Sequence, residues 1–192
     1  MAKLYFRYGA MNSGKTTLLM QTAHNYEERG MKVLLLKPSK DLKAGNEISS
    51  RLGITRKVDY LVRPDDKIMN YMLNHIDVAC VLVDEAQFLT PAQVDELLRV
   101  TTDLNIPVIC YGLRTDFQTK GFPGSTRLLE VAHSIEEMKT ICSCGAKATF
   151  NARFVDGDFT LEGDQVAIDG MKNVTYESMC PKCYFKQVRL KK

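Results

Sequence analysis

GAMNSGKT, residues 9–16, fits the pattern G-x-x-x-x-G-K-S/T, and its flanks decide the fold. From average composition such a pattern arises by accident in roughly one chain of this length in a hundred. A phosphate-binding loop of this type requires a strand before it and a helix after it. Ahead lies LYFRY (4–8), a run of β-forming residues; behind, Thr16 to Arg29 spaces Leu18, Leu19, Thr22, Ala23 and Tyr26 as an amphipathic helix ended by Gly30. In such a loop the main-chain N–H groups wrap phosphate oxygens, and Gly9 and Gly14 permit the tight path. Lys15 reaches the outer phosphates, and Thr16 offers a hydroxyl to Mg²⁺. Gly9, Ala10, Met11, Asn12, Ser13, Gly14, Lys15 and Thr16 are therefore the expected nucleotide-phosphate site.

Further strands follow at VLLLKP (33–38), VACVLVDE (78–85) and IPVICYGL (106–113), with a helix from Thr90 whose Pro91 suits the first helical position. Their continuous apolar character predicts a sheet covered on both faces, and strands separated by helices predict parallel pairing through crossovers. The expected fold is thus α/β, an open parallel sheet with helices on both faces. Residues 39–57 are polar and weakly periodic and read as a long mobile loop. After about Ile141 the texture changes to short β-like segments with D-G and E-G-D turn signals, as in hairpins. With too few apolar residues for its own core, this appendage needs a staple. The expected division is a domain of residues 1–140 and a smaller one of 141–192.

The staple is written in the cysteines. Cys80 and Cys110 sit in apolar runs and read as small buried hydrophobes, whereas Cys142 with Cys144 and Cys180 with Cys183 form two close pairs suited to one Zn²⁺. His24, His75 and His133 lack ligand-rich neighbours and carry no expected metal or base role; Met69 and Met72 read as core. The chain of 192 residues has a net charge of +3, from 26 basic and 23 acidic residues well mixed, which gives no footprint for nucleic acid or an anionic membrane. The basic end, with Lys182, Lys186, Arg189, Lys191 and Lys192, reads as a solvated tail. The longest apolar run, Val78 to Val83, is far too short to span a bilayer, and MAKLYFRYGA lacks the long apolar stretch of a secretory signal. A soluble, cytoplasmic protein is expected.

VLVDEAQF (81–88) places Asp84 and Glu85 at the C-terminal end of an apolar strand, the edge of an α/β sheet where ligands collect. Asp84 can complete the Mg²⁺ shell with Thr16, which leaves Glu85 near the γ-phosphate. The N-K-x-D element of a GTPase is missing, and the two domains of a helicase do not fit in this length. Spacing alone leaves open whether water, a partner-coupled cycle or a second substrate receives the phosphoryl group. The alternative to a kinase is a zinc-ribbon ATPase module that binds nucleic acid or a protein.

GAMNSGKT, VLVDEAQF, ICYGLRTDFQTKGFPGS, ICSCGAKA and YESMCPKC, in this order and over nearly the whole length, resemble the type II, zinc-containing thymidine kinases. The resemblance implies a RecA-like phosphate-loop domain followed by a zinc-ribbon lasso. It implies transfer of the γ-phosphoryl group of ATP to the 5′-hydroxyl of thymidine, with deoxyuridine as a related acceptor. Glu85 matches the general base, and Thr16 and Asp84 match the Mg²⁺ positions. Met11 matches the thymine-methyl pocket, while Phe88, Leu113, Phe117 and Phe122 match apolar residues around base or sugar. Val166, Ala167, Ile168, Asp169 and Gly170 match a loop whose main chain reads the base, and Tyr176 its tyrosine. Asp41 matches a position near sugar and phosphates; Lys43 stands where an arginine is frequent, with Arg51 as a rival. The first cysteine pair is C-x-C, not the commoner C-x-x-C, and D-G replaces G-G in IDGMKNVTY. A homotetramer and feedback by thymidine triphosphate are also implied, with no nucleic-acid or membrane partner.

Overall fold

The computed structural model describes residues 1–39, 45–50, 53–165 and 173–191. The chain opens with β1 (Leu4–Tyr8), α1 (Lys15–Glu27) and β2 (Val33–Pro38), then β3 (Glu47–Ser49), β4 (Thr55–Lys57) and β5 (Tyr60–Val62). Next come α2 (Ile68–Met72), β6 (Cys80–Val83), a 3-10 turn at Ala86–Phe88, α3 (Pro91–Asp103), β7 (Val108–Gly112), α4 (Pro123–Val131) and β8 (Ser134–Glu137). The C-terminal part holds β9 (Thr140–Ile141), β10 (Lys147–Ala148), β11 (Phe150–Val155), β12 (Asp158–Thr160), β13 (Val174–Met179) and α5 (Pro181–Leu190).

Six strands form one parallel sheet in the order β5-β2-β6-β7-β1-β8. Its central strands bury both faces, and alternate residues divide between two cores. Leu34, Leu36, Val81, Val83, Val108 and Cys110 face α2, α3 and α4 through Met72, Leu97 and Leu128. Val33, Leu35, Cys80, Leu82, Ile109 and Tyr111 face α1 through Leu19, Met20 and Ala23. This alternation explains why each central strand reads as an unbroken apolar run. Burial also pushes the Cys80 thiol up to about 12 and that of Cys110 upward, in keeping with their reading as hydrophobes.

Local signals set the helix ends. Thr90 caps α3: its Oγ1 accepts from the Gln93 N–H at 3.2 Å while Gln93 Oε1 accepts from the Thr90 N–H at 3.0 Å. Gly30 takes φ +71 in the turn after α1, where a side chain would be strained. Gly124, at the start of α4, lies so close to the 3-10 turn that an added Cβ would sit 2.6 Å from Ala86 O and 2.7 Å from Leu89 O. That contact fixes the turn that carries the residues after Asp84.

Three expectations need correction. Residues 39–57 are not loop throughout, because β3 and β4 pair antiparallel and Ile48, 2 % exposed, is inserted into the α1 side of the core. The cysteine-bearing part does have a small core, in which Ala148, Ala152, Phe159, Met179 and Tyr184 are buried and Phe150 and Phe154 pack against them. The basic end is helical: α5 turns Tyr184 inward and keeps Lys182, Lys186 and Arg189 exposed. His133 Nδ1 accepts the Leu4 N–H at 3.0 Å, a structural bond. Among the described residues no helix is long and apolar enough to cross a membrane.

Candidate active site

The phosphate loop runs from the end of β1 into α1. Gly9 is required by crowding, since a Cβ there would collide with Met138 O and Ser13 Oγ, whereas Gly14 is required by its φ of +78. Asn12 also adopts a left-handed conformation, at φ +65. Lys15, 9 % exposed, folds back over the loop, and its Nζ donates to Ala10 O at 2.9 Å, Gly9 O at 3.1 Å and Ser13 Oγ at 3.3 Å. Gly14 gives α1 no side-chain cap, and the first turn holds no acid, so the positive end of the helix faces the loop uncompensated by a carboxylate of its own.

Thr16 Oγ1 donates to Asp84 Oδ2 at 3.3 Å, which joins the loop to the end of β6. Asp84 is 4 % exposed; burial first, then the neighbouring charge of Glu85, pushes its carboxyl up to about 7. A buried acid held against a hydroxyl beside a phosphate loop is a fitting place for a divalent cation, which would compensate that burial.

Glu85 leaves the strand at φ +50, a conformation uncommon for a side-chain-bearing residue. Its Oε2 accepts from Gln87 Nε2 at 2.5 Å, and Gln87 Oε1 in turn accepts from the Leu113 N–H at 3.0 Å. Gln87 is 1 % exposed, and Gly112 leaves room for it: a Cβ there would lie 2.7 Å from Gln87 Oε1. Sequence reading did not single out Gln87, although its place in VLVDEAQF was the available signal.

The apolar candidates divide. Phe88 meets Phe122 edge-on, with ring centroids 5.6 Å apart, and Leu113 stands half-buried beside them, its carbonyl accepting from Ser125 Oγ at 2.5 Å. Phe117 is buried beneath the Arg153 guanidinium, which lies 3.5 Å from its ring centre, and its carbonyl accepts from Tyr184 OH. Arg153 also donates from Nε to Tyr176 OH at 2.9 Å and from its terminal nitrogens to Asp164 O and Gln165 O at 2.8 and 3.2 Å. Gln165 Nε2 reaches the buried Asp116 Oδ2 at 3.0 Å. No local pattern marked Arg153 or Asp116. Asp41, Lys43, Arg51 and Val166, Ala167, Ile168, Asp169 and Gly170 lie outside the described residues.

The sulfurs of Cys142, Cys144, Cys180 and Cys183 all lie within 4.8 Å of one another, and all six cysteines are free. Cys144 and Cys180 are 3.6 Å apart, far beyond a disulfide bond and close to the ~3.8 Å edge of a Zn²⁺–thiolate tetrahedron. The C-x-C spacing therefore still closes on the second pair. The Cys144 and Cys180 backbone N–H groups pull the Cys142 thiol down to about 6, while hydrogen bonding to Cys144 and its neighbours pushes Cys183 up to about 12. Such a cluster fits a soft divalent ion.

The family model for thymidine kinase matches residues 2–184. The thymidine kinase of Ruegeria pomeroyi is 50 % identical over 186 residues, covering 95 % of this chain and 93 % of that one. That of Chromobacterium violaceum is 49 % identical over 187 residues, covering 96 % and 98 %. Among solved structures, a Bacteroides Pif1 bound to single-stranded DNA aligns with TM-score 0.42 and 15 % identity, over 71 % of this chain and 38 % of that one, a likeness too slight to carry an argument.

Proposed function

Since this chain belongs to the thymidine kinase family and uses ATP to phosphorylate the 5′-hydroxyl of thymidine, we propose that Glu85 is the general base of that transfer. The observation that carries the proposal is the placement of Glu85. It follows the Thr16-bonded Asp84, at the sheet edge beside the phosphate loop, with its carboxylate held by Gln87. A carboxylate suffices, because in a loose transition state the attacking hydroxyl gives up its proton late. The ATPase-module alternative is set aside by the family match, which extends through the phosphate loop and all four cysteines of the cluster.

Lys15 exchanges its loop carbonyls for phosphate oxygens when ATP enters, and the loop amides with the start of α1 stabilise charge on the transferred group. Thr16 and Asp84 would hold Mg²⁺, which when bound neutralises charge on the phosphates. Met11, Leu113, Phe88, Phe117 and Phe122 enclose base and sugar, with Tyr176 at the side held by Arg153. The loop at Val166 to Gly170 reads the thymine edge, and Asp41 approaches the sugar. Deoxyuridine is a second acceptor. Residues 1–140 form the kinase domain and 141–192 the lasso stapled by Zn²⁺ on Cys142, Cys144, Cys180 and Cys183. The enzyme works in the cytoplasm as a homotetramer, inhibited by thymidine triphosphate.

Glu85→Gln tests the base. The variant retains ATP binding, while transfer of label from [γ-³²P]ATP to thymidine falls by about a hundredfold or more. Near-normal turnover would refute the assignment. The same assay over a panel of nucleosides sets the acceptor range.

A further inference from the structure

Both main-chain polar groups of one phosphate-loop residue are held from the C-terminal part of the chain. The Met11 N–H donates to Asn151 Oδ1 at 2.8 Å, and the Met11 carbonyl accepts from Ser178 Oγ. Asn151 on β11 and Ser178 on β13 are direct register partners across the antiparallel ladder, so the two side chains act from one rigid cross-strand pair. Asn151 is 4 % exposed, and its Nδ2 donates onward to Thr115 O at 3.3 Å in the segment that leads to Phe117. Thr140 Oγ1 adds a bond to Asn12 O at 3.4 Å.

The loop needs such support. It carries two departures from ordinary backbone, Asn12 at φ +65 and Gly14 at φ +78, and the main-chain bond within it from Ser13 N–H to Ala10 O is long, at 3.3 Å. A nucleotide that binds to preset amides loses less conformational freedom than one that must order the loop. Met11 sits at the crown of that loop, so fixing its peptide units fixes the direction of the amides on either side.

We propose that Asn151 and Ser178 are positioning residues for ATP, a cross-strand clamp that presets the phosphate loop through Met11. The proposal rests on the reading of residues 9–16 as the ATP phosphate site. It predicts an effect on nucleotide affinity more than on the chemical step.

The test compares Ser178→Ala, Asn151→Ala, the double variant and Ser178→Thr as full-length protein. Dissociation constants for Mg·ATP are measured by calorimetry without nucleoside, alongside KM for ATP, KM for thymidine and kcat. Ser178→Ala is expected to weaken ATP binding about three- to tenfold, and Asn151→Ala about tenfold or more because it strands the Met11 N–H, with kcat little changed. Ser178→Thr keeps the hydroxyl and retains parent affinity. The double variant falls short of the product of the single effects, since both bonds act through one residue. Ser178 is only half-buried, so Ser178→Ala carries the test even where Asn151→Ala fails to fold. Folded Ser178→Ala with ATP affinity within twofold of the parent overturns the clamp. Parent protein that fails to bind ATP at all would instead overturn the reading of the loop on which the clamp rests.

Discussion

Asp84→Asn in the ligand-free, metal-free protein should stabilise the fold at neutral and alkaline pH while abolishing kinase activity. The carboxyl is pushed from an ordinary 3.8 up to about 7, chiefly by burial and then by Glu85. A group that holds its proton more tightly when folded costs nothing below its unfolded pKa, where both states are protonated. The cost grows as pH rises from about 4 towards 7, and it stands in full above that. A displacement of that size corresponds to at most ~4 kcal/mol, and relaxation around the charge reduces this to about 2 kcal/mol. For a chain of this size ~2 kcal/mol is a Tm difference of about 4–8 °C. Asparagine keeps an oxygen to accept from Thr16 Oγ1, so the substitution removes the charge with little change of shape. The assay is thermal unfolding in chelator from pH 5 to 8.5. The parent should lose stability across that range relative to Asp84→Asn, and Mg·ATP should restore the parent only. Parallel Tm curves for the two proteins would show that Asp84 carries no such burden.

Gln87→Leu keeps the volume but strands the Leu113 N–H and removes the amide bond to the Glu85 carboxylate. Denaturant unfolding should show a loss of about 1–3 kcal/mol, and kcat should fall about tenfold or more with KM for thymidine little moved; parent-like kcat would remove Gln87 from the site. Metal analysis should find about one zinc per chain. In the native protein the four cluster thiols should react with a thiol reagent only after chelation, and the buried Cys80 and Cys110 only after unfolding. Four fast thiols in fully stable, metal-free protein would contradict the staple.

The central sheet was legible because its strands are buried on both faces and so read as unbroken apolar runs. The edge strands were not, since β8 is Ser-Ile-Glu-Glu with a largely exposed surface and β5 has only three residues. The β3–β4 hairpin hid for the same reason, as one buried Ile48 among polar neighbours sets up no period. At the site, residues whose chemistry is carried by local spacing, from Gly9 to Thr16 and the Asp84–Glu85 pair, were visible. Those whose role depends on contacts between distant segments were not. Asn151 meets Met11 across 140 positions of chain and Ser178 across 167, and no window along the sequence links them. Gln87 lay within a recognised motif but disclosed its purpose only once Gly112 left space for its amide.

Arg153 ties Asp164 and Gln165 on one side and Tyr176 on the other to a single planar group resting on Phe117. The two ends of the connecting stretch are therefore moored at one post. Inserting or exchanging residues in that stretch adds only a slowly growing entropic term. If, as proposed, Val166 to Gly170 read the base, exchanging them changes acceptor preference while the phosphate loop, Asp84 and Glu85 stay in place.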